Sequence, residues 1–204
     1  MISFVYFDVG GVVMLDFHKT NKWHELKHDL GVPDEKMAQF DSIWNRYPIA
    51  IDCDVDKLIY TIGQEIGFSV PDKYSMLEDF VRRFEPNSFI VPVIWEIQKT
   101  CRVGLLTNQY PRMFSLLQEK NLIPRVQWDI IIDSSVVKLK KPDSKIYALA
   151  QEKAGVPAYR ILFVENQEEN MKAALEAGWN AFLYDSADPE KSSQDLLEYF
   201  RNIH

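Results

Sequence analysis

Four short stretches of this 204-residue chain carry side chains able to do chemistry on an anion. Each follows an apolar run rich in β-forming residues. Asp8, with Val9-Gly10-Gly11-Val12 behind it, ends the run 2–7. Thr107 and Asn108 end the run 102–106. Lys140-Lys141-Pro142-Asp143 comes after the run 128–132 and before a helical stretch, and Glu165-Asn166 ends the run 161–164. A carboxylate, a hydroxyl, a lysine and a second carboxylate suit covalent catalysis. Asp8 can serve as nucleophile. Thr107 and nearby backbone N–H groups can bond anionic oxygens. Lys141 can neutralise charge on a substrate and in the transition state. Asp8 and Glu165 together can hold a hard, oxygen-liking cation such as Mg²⁺.

These stretches need elements that bring them together. The four apolar runs, with a fifth at 181–184, alternate with amphipathic segments at 90–99, 113–120, 145–153 and 170–177. That alternation predicts a parallel sheet with helices on both faces. Ligands of such sheets bind beyond the carboxyl ends of the strands, where the four polar stretches would converge. Residues 16–88 break the rhythm with apolar stripes at helical spacing. They are Trp23, Leu26 and Leu30; Met37, Phe40, Ile43 and Trp44; Leu58, Ile62 and Ile66; and Met76, Leu77, Phe80, Val81 and Phe84. The fold expected is therefore α/β: a Rossmann-like parallel-sheet core from residues 1–15 and 89–204, with an inserted α-helical unit at 16–88. The connections near 15–17 and 85–88 are candidate hinges.

Taken in order, the motifs resemble those of the haloacid dehalogenase-like superfamily of hydrolases over nearly the whole chain. Phe7-Asp8-Val9-Gly10-Gly11-Val12-Val13 is similar to the first motif, which carries the nucleophilic aspartate. Val103-Gly104-Leu105-Leu106-Thr107-Asn108 is similar to the second, and Lys141-Pro142-Asp143 with Ile146-Tyr147 to the third. Ile161-Leu162-Phe163-Val164-Glu165-Asn166, with Asn170, Ala173, Ala174 and Gly178, is similar to the acidic fourth. The helical stretch sits where one subfamily places a helical cap. The resemblance implies a Mg²⁺-dependent phosphatase that acts on a small phosphorylated metabolite through an aspartyl-phosphate. It makes Asp8 and Lys141 catalytic, and Thr107, Asn108 and Lys141 phosphate-binding. It makes Asp8, Gly10 (through its carbonyl), Glu165 and Asn166 metal-binding.

Two positions depart from that pattern. Most family phosphatases carry, two residues after the nucleophile, an aspartate that protonates the leaving group; here the residue is Gly10. Such a general acid contributes about 10²–10⁴-fold, although some members with Gly-Gly/Asn-Val motifs also carry glycine here. The family usually shows Asp-Asp where this chain has Glu165-Asn166, which removes a charge from the metal site. Glu168 and Glu169 either compensate or simply favour a helix N-terminus. Two alternatives follow: a metal-independent 2-haloacid dehalogenase, since halide leaves without a proton, and a weakened or inactive binding protein of the same fold.

His24-Glu25-Leu26-Lys27-His28, with Gly31 and Asp34, resembles a zinc-protease signature. The competing reading, a charged surface beside the Trp23–Leu26–Leu30 stripe, is favoured, because only 23 residues precede the helix. His18, Lys19 or Lys22 could line a cleft or simply be solvated. Lys138 and Lys140 read as surface charges, Trp95, Trp128 and Trp179 as packing, and Asp143 as a helix cap. Cys53 and Cys101 read as reduced thiols. The net charge of −7 disfavours nucleic acid and anionic membranes. With no apolar run of spanning length and no leader-like start, a cytoplasmic protein, monomeric or homodimeric, is expected.

Overall fold

The computed structural model describes residues 1–48 and 50–204. Strand β1 (Phe4–Phe7) leads into a tight loop and the two-residue strand β2 (Met14–Leu15). Four helices follow: α1 (Lys22–Asp29), α2 (Met37–Trp44), α3 (Val55–Ile66) and α4 (Met76–Arg83). The chain returns through β3 (Glu85–Pro86) to α5 (Ile90–Gln98), β4 (Arg102–Thr107), α6 (Met113–Glu119), β5 (Ile130–Asp133) and the short α7 (Ser134–Val137). It finishes with α8 (Ser144–Ala154), β6 (Ile161–Glu165), α9 (Glu168–Glu176), β7 (Asn180–Leu183) and α10 (Pro189–Ile203).

Five strands form a parallel sheet in the order β5-β4-β1-β6-β7. All four residues of central β1 are fully buried, which is why that strand reads as unbroken apolar sequence. Its alternation divides two cores. Phe4 and Tyr6 join Ile146, Tyr147 and Ala150 of α8 and Ala174 of α9. Val5 and Phe7 join Ile90 and Ile94 of α5 and Leu196 and Phe200 of α10. Each buried Val, Leu, Ile or Phe side chain among them contributes about 1.5–3 kcal/mol relative to exposure. The chain leaves β1 for β4 on one side and later for β6 on the other, so the topological switch point lies at the end of β1.

The helical segment forms as its stripes predict, with local stop and start signals. The Asp54 carboxylate accepts from Asp56 N to begin α3, and Gly67, at φ 73°, ends it. Ser75 Oγ accepts from Glu78 N to begin α4. Aromatic rings fill the centre: Trp23 lies 5.2 Å from Trp44, and Phe80 5.5 Å from Phe17. The segment also grips the loop after β4. Arg112 bonds Asp54 at 2.7 Å and Asp56 at 2.9 Å, and Tyr110 stacks on Phe80 at 5.4 Å.

The two candidate hinges pair with each other as an antiparallel ladder, Met14 against Pro86 and Leu15 against Glu85. Asn87 Nδ2 then donates to Val12 O at 2.7 Å and to Tyr184 Oη at 2.8 Å, tying the return connection to the sheet. Trp95 is 56% exposed rather than packed. Lys27 is buried, with Nζ on both Asp41 oxygens at 2.9 and 2.8 Å and over the Trp23 ring. Its neighbours His24 and His28 point outward, and among the described residues no group of three or more His, Cys, Asp or Glu is placed to hold a metal. The zinc-protease pattern is thus a solvated helix face. No helix among the described residues is long and apolar enough to cross a membrane.

Candidate active site

Asp8 is the first residue beyond β1, with its N–H donating to Val164 O at 2.9 Å. The following turn folds its carboxylate inward, where Oδ1 accepts from Val9 N at 2.8 Å. Lys141 arrives from the loop between α7 and α8. Its Nζ lies 2.9 Å from Asp8 Oδ1 and 2.6 Å from Glu165 Oε2. All three residues are buried. Lys141 therefore contacts both Asp8 and Glu165, residues 157 positions apart in the chain.

Burial alone would push the Lys141 ammonium towards neutrality, but the charges of Asp8 and Glu165 outweigh it and hold its pKa above the usual lysine value. Burial pushes the Glu165 carboxyl up, the Asp8 charge adds to this, and Lys141 opposes both. Both Glu165 oxygens are engaged: Oε1 accepts from Asn166 N and Gln167 N at 2.9 and 3.0 Å, and Oε2 also accepts from Asn170 Nδ2 at 3.2 Å. Its main task in this arrangement is to hold Lys141.

Thr107 ends β4, the strand beside β1, and its Oγ1 accepts from Gln109 Nε2 at 3.0 Å. That leaves the hydroxyl hydrogen for an anionic oxygen. The Asn108 side chain is bonded within the protein. Its Oδ1 accepts from Lys141 N and its Nδ2 donates to Lys141 O, each at 2.9 Å, so the side chain holds the lysine's backbone rather than facing a ligand. Asp143 caps α8 as expected, accepting from Lys145 N at 2.9 Å.

Asn166 decides how a cation could be held. With its amide nitrogen turned inward it donates to Gly10 O at 3.2 Å and to Glu165 Oε1 at 2.9 Å. Half a turn of the amide puts its oxygen at that place instead. Oxygens so spaced match neighbouring corners of a Mg²⁺ octahedron, whose ligand distances of about 2.0–2.1 Å set adjacent oxygens about 3 Å apart. The Gly10 carbonyl, the Asn166 amide oxygen and Glu165 Oε1 thus have spacings that fit Mg²⁺, though with less charge than two aspartates would supply. Gly11 permits this approach: its φ is +77°, and a Cβ there would lie 2.0 Å from the Asn166 amide.

Two functional neighbours escape a reading of the sequence, whereas Asn170, in the first turn of α9, belongs to the fourth motif. Gln109 is a polar residue just past a strand, with nothing to distinguish it from a loop residue. Asp16 follows β2, and its Oδ1 accepts from His18 N at 2.8 Å. Burial raises the Asp16 pKa; the His18 N–H opposes this and the Asp8 charge adds to it. Asp8 and Glu165 already outnumber the one ammonium, an excess of negative charge that favours a bound cation, and Asp16 adds a third carboxyl group to the region.

A cleft of about 650 Å³ opens beside Asn166, lined by His18, Lys19, Gln167, Glu168, Tyr184 and Asp185 among others. His18 and Lys19 thus border it, with Lys19 Nζ bridging to Asp185 at 2.8 Å. Lys22 instead turns away to Arg83 O at 2.8 Å and to Glu85.

Residues 90–178 match the family model of haloacid dehalogenase-like hydrolases. The rhythmically expressed gene 2 protein of Drosophila melanogaster is 27% identical over 146 residues, covering 62% of this chain; the chain spans about half, 55%, of that relative's length. A HAD family enzyme of Bacteroides thetaiotaomicron, solved with magnesium and inorganic phosphate, superposes with a TM-score of 0.69 at 18% identity, covering 91% of this chain and 96% of that one. An L-2-haloacid dehalogenase of Xanthobacter autotrophicus, solved with chloropropionic acid covalently bound, superposes with a TM-score of 0.64 at 20% identity, covering 90% and 78%. At these identities the two structures speak for the fold.

Proposed function

We propose, for a chain that is haloacid dehalogenase-like in its fold and over residues 90–178, that it is a phosphohydrolase acting on a small phosphorylated metabolite. The observation that carries this reading is the buried contact of the Lys141 ammonium with both Asp8 and Glu165 at the switch point of the sheet. That contact fixes a carboxylate nucleophile beside a permanent positive charge in a site of low dielectric, where each is worth most.

In the first step an Asp8 carboxylate oxygen attacks phosphorus, and the bond from phosphorus to the ester oxygen breaks. Oδ1 already carries the Val9 and Lys141 hydrogen bonds, which leaves Oδ2 as the attacking atom. Thr107 Oγ1 donates to a phosphoryl oxygen, and Lys141 balances the charge that the phosphoryl group brings. Water then attacks phosphorus, the bond to Asp8 breaks, and inorganic phosphate leaves. Mg²⁺, when held by Asp8, Gly10 O and Asn166, would supply the further positive charge that a phosphate dianion needs in an acidic site. The helical segment 16–88 acts as a cap on the core of 1–15 and 89–204, and the cleft beside Asn166 admits substrate.

The dehalogenase reading predicts opposite results in the same assay. Purified protein should release phosphate from 4-nitrophenyl phosphate, faster with Mg²⁺ added, and no halide from 2-haloacids. Asp8→Asn should abolish the release. Halide release without phosphate release would replace this reading with the dehalogenase one, and neither activity would favour a binding protein.

A further inference from the structure

We infer that Asp16 is the proton donor to the leaving group, standing in for the side chain that residue 10 lacks. The inference rests on the phosphohydrolase reading and adds a catalytic residue to it.

The placement is steric. A Cβ built on Gly10 would lie 2.5 Å from Asp16 Oδ2 and 3.4 Å from Asp16 Cγ. The Asp16 carboxyl therefore occupies the space that a side chain on residue 10 would enter, and it would have to turn aside for one. Glycine at position 10 is what admits a carboxyl from six residues further along the chain.

The backbone holds this arrangement firmly. Gly11 N donates to Met14 O at 2.7 Å and Met14 N to Val9 O at 3.0 Å, which folds the chain back on itself directly after β1. Gly10 and Met14 form a bridge, and Leu15 is paired with Glu85. Asp16 is the next residue. With Oδ1 fixed by the His18 N–H, its other oxygen, Oδ2, is the one directed at Gly10. The groups near it are Asp8, His18 and Tyr110. No described residue pairs a cation with Asp16, so nothing diverts the carboxyl into an ion pair.

The proton balance is complete. As Asp8 attacks phosphorus and the ester bond breaks, the Asp16 O–H proton passes to the departing ester oxygen, which leaves as a neutral alcohol. The Asp16 carboxylate then takes a proton from the water that attacks the aspartyl-phosphate. Asp8 and protonated Asp16 are both regenerated as inorganic phosphate departs.

The test compares two esters of the same shape, phenyl phosphate and 4-nitrophenyl phosphate. Phenolate is a basic leaving group and needs a proton; 4-nitrophenolate needs one far less. In Asp16→Asn the kcat/KM for phenyl phosphate should fall about 10²-fold or more relative to that for 4-nitrophenyl phosphate, within the range of general-acid catalysis. Placing the acid on the other side of the shared space, in Gly10→Asp/Asp16→Ala, should restore the ratio. A wild type inert on both esters would overturn the phosphohydrolase reading and this inference with it. An active wild type whose Asp16→Asn variant loses both esters equally, or neither, would overturn the inference alone.

Discussion

The Asn108 side-chain amide brackets the backbone of Lys141, accepting from its N–H and donating to its carbonyl at 2.9 Å each. A residue at the end of β4 thereby sets the position of an ammonium that arrives 33 residues later. Asn108→Ala removes both bonds and lets the loop before α8 shift. Because a misplacement of about 1 Å costs about 10²-fold in rate, phosphate-ester hydrolysis should fall by that order, seen in kcat more than in KM. Asn108→Asp keeps the acceptor and should retain part of the activity.

Lys141 sits between two buried carboxylates, so its loss should be felt in stability as well as in activity. Lys141→Met leaves Asp8 and Glu165 without their counter-charge, and breaking a buried pair this way costs about 3–5 kcal/mol. Adding Glu165→Gln should recover part of that loss, because one of the stranded charges is removed. Denaturant unfolding of the single and double variants measures both effects.

Metal binding should respond to the charge of residue 166. Asn166→Asp adds a carboxylate beside Gly10 O and Glu165 Oε1, so Mg²⁺ should bind more tightly than in the wild type. A ligand that binds only the folded state raises Tm with its concentration. A Mg²⁺ titration followed by thermal unfolding should therefore reach its rise at lower concentration in Asn166→Asp. Coinciding curves for the two proteins would remove Asn166 from the metal site.

The helical segment has its own acid-labile contact at Asp79. Burial pushes that carboxyl up, but hydrogen bonds from Tyr74 at 2.6 Å, Arg83 at 3.0 Å and Arg82 hold its pKa below the ordinary value. A depressed folded-state pKa adds stability above the unfolded value of about 3.9 and loses it as pH falls through the folded value. Asp79→Asn should be destabilised at neutral pH by about 1.5–3 kcal/mol, the worth of hydrogen bonds to a charged group. The gap to the wild type should close below about pH 4. Urea unfolding at a series of pH values follows that convergence.

Taken alone, the sequence determined the alternation of strands and helices, the helical interruption at 16–88 and the placing of Asp8, Thr107, Lys141 and Glu165 at strand ends or before a helix. Those features are local: a buried strand needs a continuous apolar run, and a parallel sheet brings its carboxyl ends to one edge wherever they lie in the chain. Tertiary structure decided which polar residues face one another. Lys27 and Lys138 look alike in sequence, yet one is buried on Asp41 and the other half-exposed beside Asp52. Asn108 reads as a ligand-binding amide and is spent on the Lys141 backbone. Gly10 reads as a lost acid, while the fold of the loop after β1 delivers the Asp16 carboxyl to the same space. Composition and period report whether a residue is buried on average, whereas contact between side chains depends on how the backbone turns between elements, and no one-dimensional pattern encodes that.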